Sequence, residues 1–214
     1  MDLNIFNLVV VLVIVIASVI LHELSHGLVA YWLGDSTAKD SGRLSFNPLN
    51  HIDPYMSILV PVVLYLLGAP IFGGAKPVPV DSRNLKWREW GMALVALAGP
   101  FTNLLIAFVS FLIGHFTGII YSLNGGLFQF IAAELIFINI GFAVFNLIPI
   151  PPLDGSRVLY AISPDGFRNI LTSLEPHGFI LVYLLIFLFG NTFSNVMTYA
   201  MEGVFRFFNF LVGQ

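Results

Sequence analysis

The chain has no cysteine, few charges and no run of basic residues, and each shortage closes off a class of function. Without cysteine there is no disulfide, no thiolate nucleophile and no Cys-ligated metal site. Lys and Arg number 9 against 12 Asp and Glu, a mildly acidic balance that offers a phosphate backbone nothing to bind, so no nucleic-acid partner is expected. Only 10% of the 214 residues are charged and 57% are hydrophobic, with a mean hydropathy of +0.89. Soluble domains carry about 25% charged residues, so this chain has too few polar groups to cover a water-facing surface. The expected surroundings are a lipid bilayer. Once several spans of about 20 residues are subtracted, too little chain is left for a separate soluble module. No internal repeat or low-complexity tract is present.

The first apolar run, Ile5 to Leu33, has no Lys or Arg before it and continues without a small-residue cleavage site into His22 and Glu23. It reads as a retained span rather than a signal peptide, stopped at Gly34-Asp35. Residues 35–53 are polar, with alternation in Arg43-Leu44-Ser45-Phe46 that suggests one short strand. Residues 54–72 are apolar but broken by Pro61, Gly68 and Pro70, and 73–90 carry Lys76, Arg83, Lys86 and Arg88. Further spans are expected at 91–116, 128–148, 175–190 and 193–212, the last two joined by a turn at Gly190-Asn191. The connectors 35–53, 73–90 and 156–172 are basic and 117–127 has no charge, which places the first three in the cytoplasm and the last outside. A straight crossing by 54–72 would export the densest basic cluster, so a segment that enters and returns on the cytoplasmic side is favoured over a span kinked at Pro61. The expected fold is an all-α polytopic membrane protein of about five to six transmembrane helices. It forms a single domain, 1–214, with a core of 4–158 and accessory helices within 173–212.

Within the first span stands His22-Glu23-Leu24-Ser25-His26, an HExxH pattern. At 3.6 residues per turn both imidazoles project from one face and can ligate a divalent metal, with Glu23 beside them to take a proton from water. The setting sharpens the pattern, because even lenient insertion scales charge about 2.5 to 3.5 kcal/mol for one central acidic residue. The competing reading is a pair of imidazoles that merely hydrogen-bond across a bundle. A catalytic zinc usually keeps three protein ligands and an open position. Candidates for the third are His51, Asp53, His115, Glu134, Asp154 and His177. Asp154 is the best placed, since it follows the Pro-broken end of a span on the same side as the second half of the first. His22 lies 11 residues before Leu33, roughly 16 Å inside the helix end, so water must reach the site from the cytoplasmic face.

HELSHG in the first span, AGPFTN in a later one and NLIPIPPLDG closing the next resemble the motifs of the site-2 protease family of intramembrane zinc metalloproteases. GRLSFNPLNHIDP and FGGAKPVPVDSRNL resemble its short prokaryotic branch, which lacks a PDZ domain. The resemblance covers most of residues 18–158. It implies one Zn2+ per chain held by His22, His26 and Asp154, Glu23 as general base, and Asn146 holding substrate backbone or a developing oxyanion, as an uncharged amide donor can. Gly99 and Asn103 match the family's GxxxN pattern, where a small residue lets helices approach and the Asn bonds across them. It also implies a small membrane-dipping β-hairpin between the first two core helices, whose edge pairs with an unwound substrate. Candidate edges are 44–46 and 77–80, the second with two prolines that suit an edge. The substrate would be a transmembrane protein or peptide, cut within or near its membrane segment. Selectivity would come from the membrane part itself, from an oligomer or from a regulatory membrane partner.

Other roles compete for some of these residues. Asn146 can cap a broken helix, and Asn103 is read first as a helix-to-helix bond. Asp53-Pro54 looks like an N-cap followed by Pro at the first helical position, His51 like a loop histidine, and Glu134 like a buried acid paired with a neighbouring helix. As a whole, the same His and Asp site would also serve a divalent-metal transporter. The chain shows no inverted repeat of the kind many carriers have, and a Glu adjacent to the first ligand is what water activation needs.

Overall fold

The computed structural model describes residues 5–66, 74–121 and 126–213. Its helices, in chain order, are α1 (Ile5–Trp32), α2 (Thr37–Asp40), a π-helical turn (Pro54–Leu59) running into α3 (Val60–Leu66), α4 (Glu89–Phe116), α5 (Gly126–Asn146), α6 (Asp154–Ile162), α7 (Asp165–Leu174) and α8 (Gly178–Leu211). Among the described residues α1, α4, α5 and the helical run that ends in α8 are long and apolar enough to cross a membrane. The chain is thus a mostly helical membrane protein. The two helices expected to part at Gly190-Asn191 do part there, at a kink one residue earlier: Phe189 (φ −118°, ψ 21°) leaves helical geometry, with no connecting loop. A single Gly without Pro bends a helix more readily than it stops one.

α4 sits at the centre and packs against α1, α5 and α6. Towards its C-terminal end, Ala107 and Phe111 join Ile136 and Ile140 of α5 and Phe208 of α8 in one buried cluster. Towards its N-terminal end, Val95 packs with Ala30 of α1 and Leu85 of the connector. The outer face of α1 exposes Ile5, Leu8, Leu12 and Ile16, an apolar stripe that suits lipid.

α1 ends as its sequence suggested. Gly34 has φ +109°, its N–H bonds Tyr31 O (3.1 Å) and Asp35 N–H bonds Ala30 O (2.9 Å), the paired bonds of a Schellman cap. The cap turns Asp35 inward, where it is fully buried. There it accepts from Thr37 Oγ1 (2.5 Å), Asp81 N–H (2.7 Å) and Asn84 Nδ2 (3.1 Å), which fastens the 81–84 connector to the end of α1.

Among the described residues there is no strand. The proposed edges 44–46 and 77–80 carry no ladder, because side chains and isolated loop bonds take up the backbone groups instead. Arg43 Nη2 donates to Lys76 O (2.7 Å), Lys76 N–H to His51 O (2.9 Å), and Pro77 and Pro79 have no N–H to give. The two segments still meet, for Leu44 and Val78 both lie against Gly27 of α1. Asp53 caps the π-helical turn, accepting from Tyr55 and Met56 N–H at 2.8 and 2.9 Å. Gly74 N–H bonds Met56 O (3.1 Å) and Ser57 Oγ donates to Gly74 O (2.7 Å), so the chain comes back at residue 74 to where this helical segment began. The remainder of 54–72, beyond Leu66, lies outside the described residues.

Candidate metal centre

His22 and His26 occupy one face of α1, 7% and 8% exposed, and Asp154 opens α6 at the end of the Pro149–Leu153 loop. His22 Nε2 lies 3.1 Å and His26 Nε2 3.4 Å from Asp154 Oδ2, with 3.0 Å between the two nitrogens. The pattern in sequence therefore becomes a cluster in space. Of the other third-ligand candidates, Asp53 is an N-cap, His51 bonds Ser45 O at 2.8 Å, His115 bonds the Tyr121 hydroxyl at 2.8 Å, and His177 lies exposed in the turn before α8. Glu134 is half-buried and has no ion-pair partner among the described residues.

The protonation pattern of the cluster follows from what lies behind it. His22 Nδ1–H donates to Asn103 Oδ1 (2.6 Å) and His26 Nδ1–H to Val95 O (2.7 Å). Both acceptors are carbonyl oxygens, so both Nδ1 atoms carry a proton, and in the neutral imidazoles it is Nε2 that presents the lone pair. The Asn103 amide is oriented in turn, since its Nδ2 donates to Asn139 Oδ1 (2.7 Å) while Asn139 Nδ2 donates to Leu135 O (2.9 Å). Asn103 and Asn139 are both fully buried. Asn103 thus bonds across helices as expected and also fixes a candidate ligand. Asn139, which sequence reasoning passed over, completes the relay. Its only signal was an amide in an otherwise apolar stretch of α5.

With both imidazoles neutral, two Nε2 lone pairs and a carboxylate oxygen converge, and Asp154 Oδ2 is buried without a hydrogen-bond donor. Such an arrangement repels itself unless a cation stands at its centre. Ligands about 2.0 to 2.1 Å from a tetrahedral zinc are about 3.3 Å apart. The three observed separations, 3.0 to 3.4 Å, are close to that spacing, and imidazole and carboxylate are donors that zinc takes. Gly99 of α4 forms the floor, where a Cβ would come within 2.5 Å of His22 Cε1, His22 Nε2 and His26 Nε2. Pro100 follows it inside the helix. Proline removes a backbone donor and bends the turn before it, the turn that offers Val95 O to His26. Gly155 is required for a like reason, since a Cβ there would run into the Leu147 and Ile148 carbonyls.

Glu23 lies half-buried beside the cluster, and its Oε2 accepts from Val78 N–H at 2.8 Å. Asn146 ends α5, with one N–H of its Nδ2 on Phe142 O at 3.0 Å; it is not joined to the cluster. An apolar cleft of about 420 Å³ lined by Val29, Leu33, Leu97 and Phe101 includes none of these polar residues.

The sequence profile of Peptidase family M50 matches residues 120–190. The protein named "Putative zinc metalloprotease YwhC" of Bacillus subtilis is 41% identical over 177 residues, which cover 80% of this chain and 77% of that one. The chain belongs to peptidase family M50. Two proteins that share YwhC's description agree. Rip2 of Mycolicibacterium smegmatis is 31% identical over 79% of this chain and 63% of its own. MJ0611 of Methanocaldococcus jannaschii is 33% identical over 49% of this chain and 51% of its own. No solved structure matches. This M50 protein is therefore a membrane-embedded zinc metalloprotease, and a metal transporter is not favoured.

Proposed function

We propose that the protein is an intramembrane endopeptidase that hydrolyses a peptide bond within or near the membrane segment of a protein substrate. In this reading His22, His26 and Asp154 hold the zinc and Glu23 is the general base. The observation that carries it is the convergence of two Nε2 atoms and Asp154 Oδ2 within 3.4 Å of one another, with a carboxylate one residue from the first imidazole. Bound zinc lowers the pKa of water and polarises a carbonyl.

The rest falls to the chain's own residues. Val78 N–H holds Glu23 through Oε2, which leaves Oε1 to take a proton from the attacking water and pass it to the leaving amine. Asn103 and Val95 keep the imidazoles in the tautomer that presents Nε2. Asn146 Nδ2 keeps one N–H on Phe142 O and offers its second to the substrate carbonyl oxygen. Substrate backbone freed by unwinding needs hydrogen-bond partners inside the membrane, and the irregular segment 77–80, next to Glu23, is the proposed place for it. The basic connectors put the opening of the site towards the cytoplasm.

Glu23→Gln tests the assignment. Purified in detergent, the variant should retain one zinc per chain and lose cleavage of a helical membrane substrate. Unchanged cleavage would overturn the role of Glu23, and zinc-dependent metal transport into vesicles would favour a carrier.

A further inference from the structure

The C-terminal part of α8, after the kink at Phe189, is a span with unlike faces. One packs inward: Phe193 meets Phe145 of α5 (ring centroids 6.3 Å apart), Phe205 stacks on Phe137 (5.8 Å), and Phe208 is 5% exposed against α4 and α5. Beside it Asn191, Asn195, Thr198 and Glu202 are exposed, and further round the helix Val196, Tyr199 and Phe210 form an exposed apolar face. At 100° per residue, Asn191, Asn195, Thr198 and Glu202 fall within an arc of about 60°. They extend over roughly 16 Å of helix, about half the hydrocarbon thickness. Lipid cannot satisfy such a stripe, since amides and carboxylates in hydrocarbon are covered by protein or by a water-filled cavity. The outward face of α1, with Ile5, Leu8, Leu12 and Ile16 exposed, shows what a lipid-facing side of this chain looks like.

We infer that this stripe is the seam of a homodimer, covered by α8 of a second copy. Three observations select that occupant. Asn and Thr side chains are donors and acceptors at once, so under a two-fold axis along the membrane normal each can bond its own counterpart. Their spacing of four, three and four residues is that of a parallel helix pair with a 3.5-residue repeat. The C-terminal end of the stripe carries both signs of charge, Glu202 and Arg206 at 3.7 Å and both exposed, which can exchange partners across the axis.

The chain has no native cysteine, which makes the test direct. Asn195→Cys and Thr198→Cys proteins in membranes, treated with a copper–phenanthroline oxidant, should each form a disulfide-linked species of twice the monomer mass. Leu12→Cys, on the lipid-facing side of α1, should stay monomeric. Replacing Asn191 and Asn195 with Leu and Thr198 with Val should weaken self-association, read by energy transfer on dilution in phosphatidylcholine vesicles, by about tenfold or more, with zinc content unchanged as the sign of an intact fold. Failure of both seam cysteines to link, linkage at Leu12→Cys as efficient as at the seam, linkage only to another protein, or unaltered association of the triple variant would each overturn the proposal.

Discussion

Adding a single methyl group at Gly99 should empty the metal centre while leaving the helices in place. The Cβ of Gly99→Ala would come within 2.5 Å of His22 Cε1, His22 Nε2 and His26 Nε2, where carbon normally keeps about 3.5 to 4.0 Å, a shortfall of about 1 Å on both rings. Neither ring is free to step back, because His22 is pinned to Asn103 Oδ1 and His26 to Val95 O. The methyl must displace either α4 or the imidazoles. Overpacking of this kind costs about 1 to 3 kcal/mol, about 5- to 150-fold if it falls on zinc affinity. The measurement is zinc retention in a titration against a chelator of known affinity. Gly166→Ala, where the new Cβ meets nothing within 4 Å, is the control and should bind like the parent. Undiminished affinity in Gly99→Ala would refute the account of Gly99 as the floor of the site.

The relay behind His22 makes a second prediction: Asn139→Leu, which touches no candidate ligand, should lower zinc affinity by about 10- to 100-fold, as loss of an outer partner does, and unaltered affinity would show that the Asn103 orientation does not depend on it. Asp35→Ala leaves the part-buried Asp81 N–H and the Asn84 amide without their charged acceptor and should destabilise the protein by about 1 to 3 kcal/mol in thermal unfolding. Burial pushes the Asp35 carboxyl up, but the bonds from Thr37, Asp81 and Asn84 outweigh it and hold it below its ordinary value. Its contribution is therefore present at neutral pH and lost as pH falls through that depressed value, so the gap between parent and variant should narrow in acid; a gap that widens there would contradict the reading. Lys86→Cys in sealed cells should react with an impermeant maleimide only after permeabilisation, and labelling from outside would reverse the proposed orientation.

How much of this was legible beforehand depends on the distance over which each feature is decided. His22, Glu23 and His26 lie within one helical turn, so periodicity alone puts the two imidazoles on a common face. Asp154 needed the chain's own elimination of other acids and imidazoles, and the fold brings it to both. The Gly34 cap was readable because a Schellman turn is local. The strands at 44–46 and 77–80 were not, since whether a backbone finds a ladder or a side chain is decided by tertiary neighbours, here Arg43 and His51. The break between the last two helices was legible in Gly190-Asn191, but its form, a kink at Phe189 rather than a turn, depends on what packs beside it. Asn139 is invisible until α4 and α5 are side by side.

X-ray absorption at the zinc edge of the purified protein tests the central claim most directly. The account requires one zinc per chain with two imidazole nitrogens and at least one carboxylate oxygen at about 2.0 to 2.2 Å, and the loss of one imidazole from that spectrum in His26→Ala. A zinc whose coordination is the same in parent and variant, or a chain that folds and binds none, would contradict it.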